Sequence, residues 1–111
     1  MEMNAATSAL AALGHPTRLS IFRRLIEAGP DGQLAGELAQ ALSLPGATLS
    51  FHLKTLRAAG LVTAEPCGRH VRYRPQLPTV QALIDFLTRD CCQHSGEPNC
   101  LTATAACQAR C

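Results

Sequence analysis

Residues 33–75, QLAGELAQALSLPGATLSFHLKTLRAAGLVTAEPCGRHVRYRP, contain the change of period that decides the fold. Leu34, Leu38 and Leu42 recur every four residues, which predicts a short helix over Gln33–Leu42 that stops before Pro45. Leu49, Leu53 and Leu56 then mark one face of a second helix over Gly46–Ala59, with Gly60 as its C-cap. Beyond Gly60 the period falls to two. Leu61–Glu65 and Arg69–Arg74 read as strands joined through Pro66-Cys67-Gly68. In the second strand Val71 and Tyr73 alternate with His70, Arg72 and Arg74, so one face is apolar and the other cationic.

Outward from this stretch the pattern is helical on both sides. Met3–Leu13 places Ala6, Leu10 and Leu13 at helical spacing and ends at Gly14. Pro16 suits a first helical turn, and Leu19, Phe22, Leu25 and Ile26 make the next apolar stripe, broken by Gly29-Pro30-Asp31-Gly32. After Pro75 and Pro78, Thr79–Asp90 returns to helical spacing through Val80, Leu83, Ile84 and Leu87. The expected architecture is mainly α with a β-hairpin wing, a winged helix-turn-helix over residues 1–90. A cysteine-rich tail over 91–111 follows it, with Gly96 and Pro98 marking a loop.

At 111 residues the chain is the size of one domain, and 47% hydrophobic against 16% charged residues excludes a disordered polymer. No apolar run reaches the ~18 residues a membrane helix needs, and MEMNAATSAL lacks the basic-then-apolar pattern of a secretory signal. The expectation is a cytoplasmic protein with no membrane partner. The net charge of +2 hides a local bias: five cations (Lys54, Arg57, Arg69, Arg72, Arg74) face one acid, Glu65, between residues 46 and 75. Such a segment is either a solvated face or the footprint of a nucleic-acid surface.

A helix-turn-helix followed at once by a cationic hairpin favours double-stranded DNA. With the leucines of Gly46–Ala59 facing the core, Thr48, Ser50, Phe51, His52 and Thr55 are expected on the outside, with Lys54 and the wing cations Arg69, Arg72 and Arg74 beside them. No Cys-x-x-Cys, phosphate loop or acid/base pair accompanies them, so an enzyme is not expected.

Three segments carry a family resemblance. They are Leu13-Gly14-His15-Pro16-Thr17-Arg18-Leu19, the S-x-H-L-x-x-L-x-x-x-G-L run from Ser50 to Leu61, and Gly68-Arg69-His70-Val71-Arg72-Tyr73-Arg74. Together they resemble the ArsR/SmtB metalloregulatory repressors over about residues 5–90. The resemblance implies a homodimer, joined through the first and last helices around Ala6–Leu13 and Val80–Leu87. It also implies that the dimer binds its operator when metal-free and releases it on binding a metal or metalloid.

The resemblance also narrows the inducer. Where the founding arsenic repressors carry a C-x-C pair before the recognition helix, this chain has Leu34 and Gly36. The last helix offers Asp85 and no histidine, unlike the family's zinc sensors. Five of the six cysteines (Cys91, Cys92, Cys100, Cys107, Cys111) lie in the last 21 residues. Cys91-Cys92 with Cys100 is similar to members that bind arsenite after the last helix. The implied inducer is As(III) or Sb(III), which takes three thiolates.

Other readings of the same sulfurs are cadmium, lead, copper(I) or zinc, with His94 as a fourth ligand, and thiol oxidation or persulfide formation. An inert extension is the remaining one. Cys107 and Cys111, four apart, are possible auxiliaries, and Cys67 in the hairpin turn is set aside.

Overall fold

A computed structural model describes residues 1–91. The chain runs α1 (Met3–Leu13), α2 (Pro16–Ala28), β1 (Gln33–Leu34), α3 (Ala35–Leu42), α4 (Gly46–Ala58), β2 (Val62–Cys67), β3 (His70–Pro75) and α5 (Leu77–Thr88). This is the mainly helical, winged architecture that the periodicities predict.

Local chemistry sets the boundaries. Pro16 opens α2, and His15 caps it by accepting the Thr17 N–H on Nδ1 at 3.1 Å. Glu37 accepts the Leu34 N–H at 2.8 Å and fixes the start of α3. At the end of α4 the N–H of Gly60 bonds the Arg57 carbonyl and that of Leu61 bonds the Leu56 carbonyl. That is a Schellman closure, and it needs the left-handed φ of 76° that Gly60 adopts.

One core joins the elements. It comprises Ala6, Ala9 and Ala12 of α1, Ile21, Phe22 and Leu25 of α2, Leu38 of α3, and Leu49, Leu53 and Leu56 of α4. Leu61, Val62 and Leu83 complete it. Each buried leucine contributes about 1.5–3 kcal/mol, so the three on α4 alone hold that helix firmly to the body. Two stripes differ from the sequence reading. In α1 the buried face is Ala6, Ala9 and Ala12, while Leu10 is 46% exposed. Small side chains let α1 approach its neighbours closely and turn the larger leucine outward. In α2 the buried set is Ile21, Phe22 and Leu25, and Leu19 points to solvent.

The helix expected from Gln33 begins at Ala35, because Gln33 and Leu34 form the edge strand β1. The sheet order is β1-β3-β2, all antiparallel, with Gln33 opposite Tyr73 and Leu34 opposite Arg72. Just before β1, Gly32 has φ 66° and lies so close to the Tyr73 carbonyl that a Cβ there would overlap it. The hairpin is longer than read, with β2 running to Cys67 and a two-residue loop, Gly68-Arg69, between the paired Cys67 and His70. Gly68 takes a φ of 63° at the first loop position, as type II′ connections require. Among the described residues no helix is long and apolar enough to cross a membrane.

Candidate nucleic-acid interface

Helix α4 sits with its leucine face in the core and its opposite face in solvent. Thr48, Ser50, Phe51 and Lys54 are exposed and Thr55 is half-buried. Phe51 is the most outward of them that is apolar, at 65% exposure. The Thr55 hydroxyl donates to the Phe51 carbonyl at 3.3 Å, so its proton is engaged within the helix. Pro45 precedes α4 and no side chain caps its N-terminus. The first N–H groups therefore keep the partial positive charge that phosphates seek.

His52 departs from the expectation that it faces outward. It is 8% exposed and points back toward the α1–α2 junction, because its place between Leu49, Leu53 and Leu56 puts it on the inner arc of the helix. Its ring lies 4.8 Å from that of His15, and its Nδ1 is 3.4 Å from an Arg18 guanidinium nitrogen. Burial, and then the neighbouring His15 and Arg18, hold its pKa below the usual 6.5.

Arg18 is the residue that sequence reasoning passed over, although it stands in the quoted Pro16-Thr17-Arg18 motif. Its Nε donates to the Ala12 carbonyl at 2.6 Å and a terminal nitrogen donates to Ala11 at 3.3 Å. One guanidinium thus closes the C-terminus of α1 and touches the back of α4. Nothing in a linear pattern signals this, because the three partners lie 6, 7 and 34 residues away.

The wing cations are not equivalent. Arg69 is exposed at the hairpin tip. Arg72 is half-buried and donates to the Asp31 carbonyl at 3.0 Å, tying the hairpin to the loop before β1. Arg74 forms an ion pair with Glu65 on the adjacent strand. Arg72 and Arg74 do share a face of β3, as alternation requires, but both hold partners within the fold.

Among the cysteines, Cys67 is half-buried in the wing and Cys91 is exposed. Helix α5 ends at Thr88, and Asp90 turns the chain with a φ of 62° before Cys91. Cys92, Cys100, Cys107, Cys111 and His94 lie outside the described residues. Among the described residues, no group of three or more His, Cys, Asp or Glu side chains is placed to hold a metal. Apolar side chains remain exposed on α1 (Met3, Leu10) and on α5 (Leu77, Ile84, Leu87).

Comparison with known proteins agrees with this geometry. Residues 13–65 match a family model described as a helix-turn-helix domain. The HTH-type transcriptional repressor SmtB of Mycobacterium tuberculosis is 37% identical over 95 residues, covering 86% of this chain and 65% of the relative. The chain thus spans about two-thirds of that repressor's length. The transcriptional activator HlyU of Vibrio cholerae is 36% identical over 96 residues, covering 84% of this chain and 85% of HlyU. HlyU has also been solved in a form described as reduced, with TM-score 0.63 and 32% identity over 80% of this chain and 90% of that one. An ArsR-like transcriptional regulator from Rhodococcus sp. RHA1 superposes with TM-score 0.70 at 30% identity, covering 83% of this chain and 84% of that one.

Proposed function

The chain belongs to the ArsR/SmtB family of helix-turn-helix transcriptional regulators, and we propose that it is a cytoplasmic repressor that leaves its operator on binding As(III) or Sb(III). The observation that carries the DNA-binding part is the exposed polar face of α4, in a chain that also exposes the wing-tip cation Arg69. Thr48, Ser50, Phe51, Lys54 and Thr55 meet the major groove, Arg69 meets phosphate, and Arg72 and Arg74 set the wing's position and add to its field. His52 supports α4 from behind and does not read bases.

The protein works as a homodimer. The apolar side chains left exposed on α1 and α5 supply an interface, and two copies of α4 then face two half-sites about one helical turn apart.

The inducer is held by Cys91, Cys92 and Cys100, with Cys107 and Cys111 as auxiliaries. In support, α5 ends at Thr88, three residues before Cys91, so Cys91 stands outside the helix and its thiol is not fixed by helical geometry. Three thiolates suit a trivalent, thiophilic ion better than oxygen-seeking metals. Binding draws the tail onto the end of α5. That helix packs on α1, α1 is closed by Arg18, and Arg18 touches His52 on the back of α4. A shift at the cysteines thereby reaches the DNA-reading helix, and by linkage DNA weakens metalloid binding by the same factor.

The deciding experiment is a gel shift of the DNA upstream of the protein's own gene, with and without arsenite. Cys91→Ser, Cys92→Ser and Cys100→Ser each retain DNA affinity and lose release. Release by arsenite in those variants refutes the site. A chain ending after Cys100 stays inducible; loss of induction makes Cys107 or Cys111 a ligand. A second reading, oxidation of the same thiols by a peroxide, draws on the reduced form in which the relative HlyU was solved. It predicts release by peroxide and none by arsenite. Cadmium, lead or zinc as inducer is separated by the same assay.

A further inference from the structure

Three phenylalanines occur in the chain, and they have different surroundings. Phe22 is in the core and Phe86 is half-buried against it, whereas Phe51 projects from the middle of α4 into solvent. Its ring is held on one side by an edge-to-face contact with His52, centroids 5.6 Å apart at 71°. The phenyl is therefore an exposed apolar knob, presented by a helix whose other exposed side chains nearby are Ala47, Thr48, Ser50 and Lys54.

The composition of this face restricts what it can read. From Gly46 to Thr55 the helix contains no Asn, Gln, Arg, Asp or Glu. The planar forks that read guanine or adenine by paired hydrogen bonds, and the carboxylates that accept from cytosine N4, are therefore missing there, which leaves such contacts to the Lys54 ammonium and to the hydroxyls of Thr48 and Ser50. What remains is single hydroxyl contacts, one ammonium, and apolar contact. The apolar feature of the major groove is the C5-methyl group of thymine.

We propose that Phe51 is a specificity-determining residue of the interface and seats against thymine methyl groups in each half-site. The proposal rests on the reading that α4 enters the major groove. The charge around the ring favours DNA over a protein partner, since Lys54 lies one turn away and Arg57 is exposed on the same helix.

The test uses the full chain under reducing conditions. A random-sequence duplex library supplies the preferred site, and each thymine is then replaced singly by deoxyuridine, which lacks only the methyl. Wild type binds about four-fold more weakly for each contacted thymine replaced, the value of one buried methyl group. Phe51→Ala binds the thymine and uracil duplexes equally, while its thermal midpoint and its salt slope stay as in wild type. Equal binding of thymine and uracil at every position by wild type overturns the proposal. So does a Phe51→Ala variant that still discriminates. If selection enriches no duplex at all, the DNA-binding reading itself fails, a result distinct from either.

Discussion

Replacing Arg18 by alanine tests how the α1–α2 junction supports the reading helix. The substitution removes the Nε bond to the Ala12 carbonyl at 2.6 Å, the longer one to Ala11 at 3.3 Å, and the contact with His52 at 3.4 Å. A hydrogen bond from a charged donor at a partly buried site is worth about 1.5–3 kcal/mol. A cation at a helix C-terminus adds about 0.3–1 kcal/mol, and the weak contact with His52 adds little beyond these. The expected loss is about 2–3 kcal/mol. For a domain of this size that lowers the thermal midpoint by roughly 8–20 °C.

The measurement is circular-dichroism melting at one fixed protein concentration, since the proposed dimer would make the midpoint concentration-dependent. Arg18→Lys keeps the charge without the fork and recovers less than half of the loss. The His52 titration, followed by NMR, moves up in Arg18→Ala, because one of the positive charges holding its pKa down is gone. A variant within 0.5 kcal/mol of wild type whose His52 titration does not move refutes the account of this junction.

Other expectations come from single features. Because the pKa of His52 is lowered in the folded chain, the unfolded chain takes up its proton first as pH falls below 6.5. Stability is therefore lost on acidification from about pH 7 through 6.5 and below, and urea titrations at pH 7.5 and 5.5 will find a smaller loss in His52→Gln. Gly32→Ala must place a Cβ against the Tyr73 carbonyl at a left-handed φ, at a cost of about 3 kcal/mol or more by urea denaturation. Arg69→Ala reduces the slope of log K against log salt by about 0.9 in DNA titrations. Glu65→Ala releases Arg74 from its ion pair and steepens that slope by a similar amount.

Much of this was legible in the sequence because it depends on local pattern. The spacing of Leu49, Leu53 and Leu56, the stop at Gly60 and the alternation around Val71 and Tyr73 found α4 and the wing. β1 escaped because a two-residue strand has no period of its own; it exists through its pairing with Tyr73 and Arg72. Leu10 and Leu19 read as core by hydrophobicity, but close packing of Ala6, Ala9 and Ala12 turned the helices another way. His52 could be placed on α4 but not given a side, since a polar ring between leucines is acceptable inside only where partners such as His15 and Arg18 stand. Arg72 and Arg74 looked free because their partners, Asp31 and Glu65, lie across the chain fold. The proposed sensing cysteines rest on composition and resemblance, with Cys91 the one of them among the described residues.

The wing is fastened at its root and open at its tip. β1 and the Arg72–Asp31 bond fix its base to the helices, while Gly68 and Arg69 are exposed and a Cβ on Gly68 would stand in open space. Related proteins can therefore change its length only at the outer end without altering how α4 docks. Strand geometry also makes that change stepwise. One added residue per strand turns the tip side chains to the opposite face, whereas two per strand restore them about 6.8 Å further out. That step equals about two base pairs of helical rise along DNA. The reach of such a wing is thus quantised, and relatives that differ in operator spacing are expected to differ here by even numbers of residues per strand.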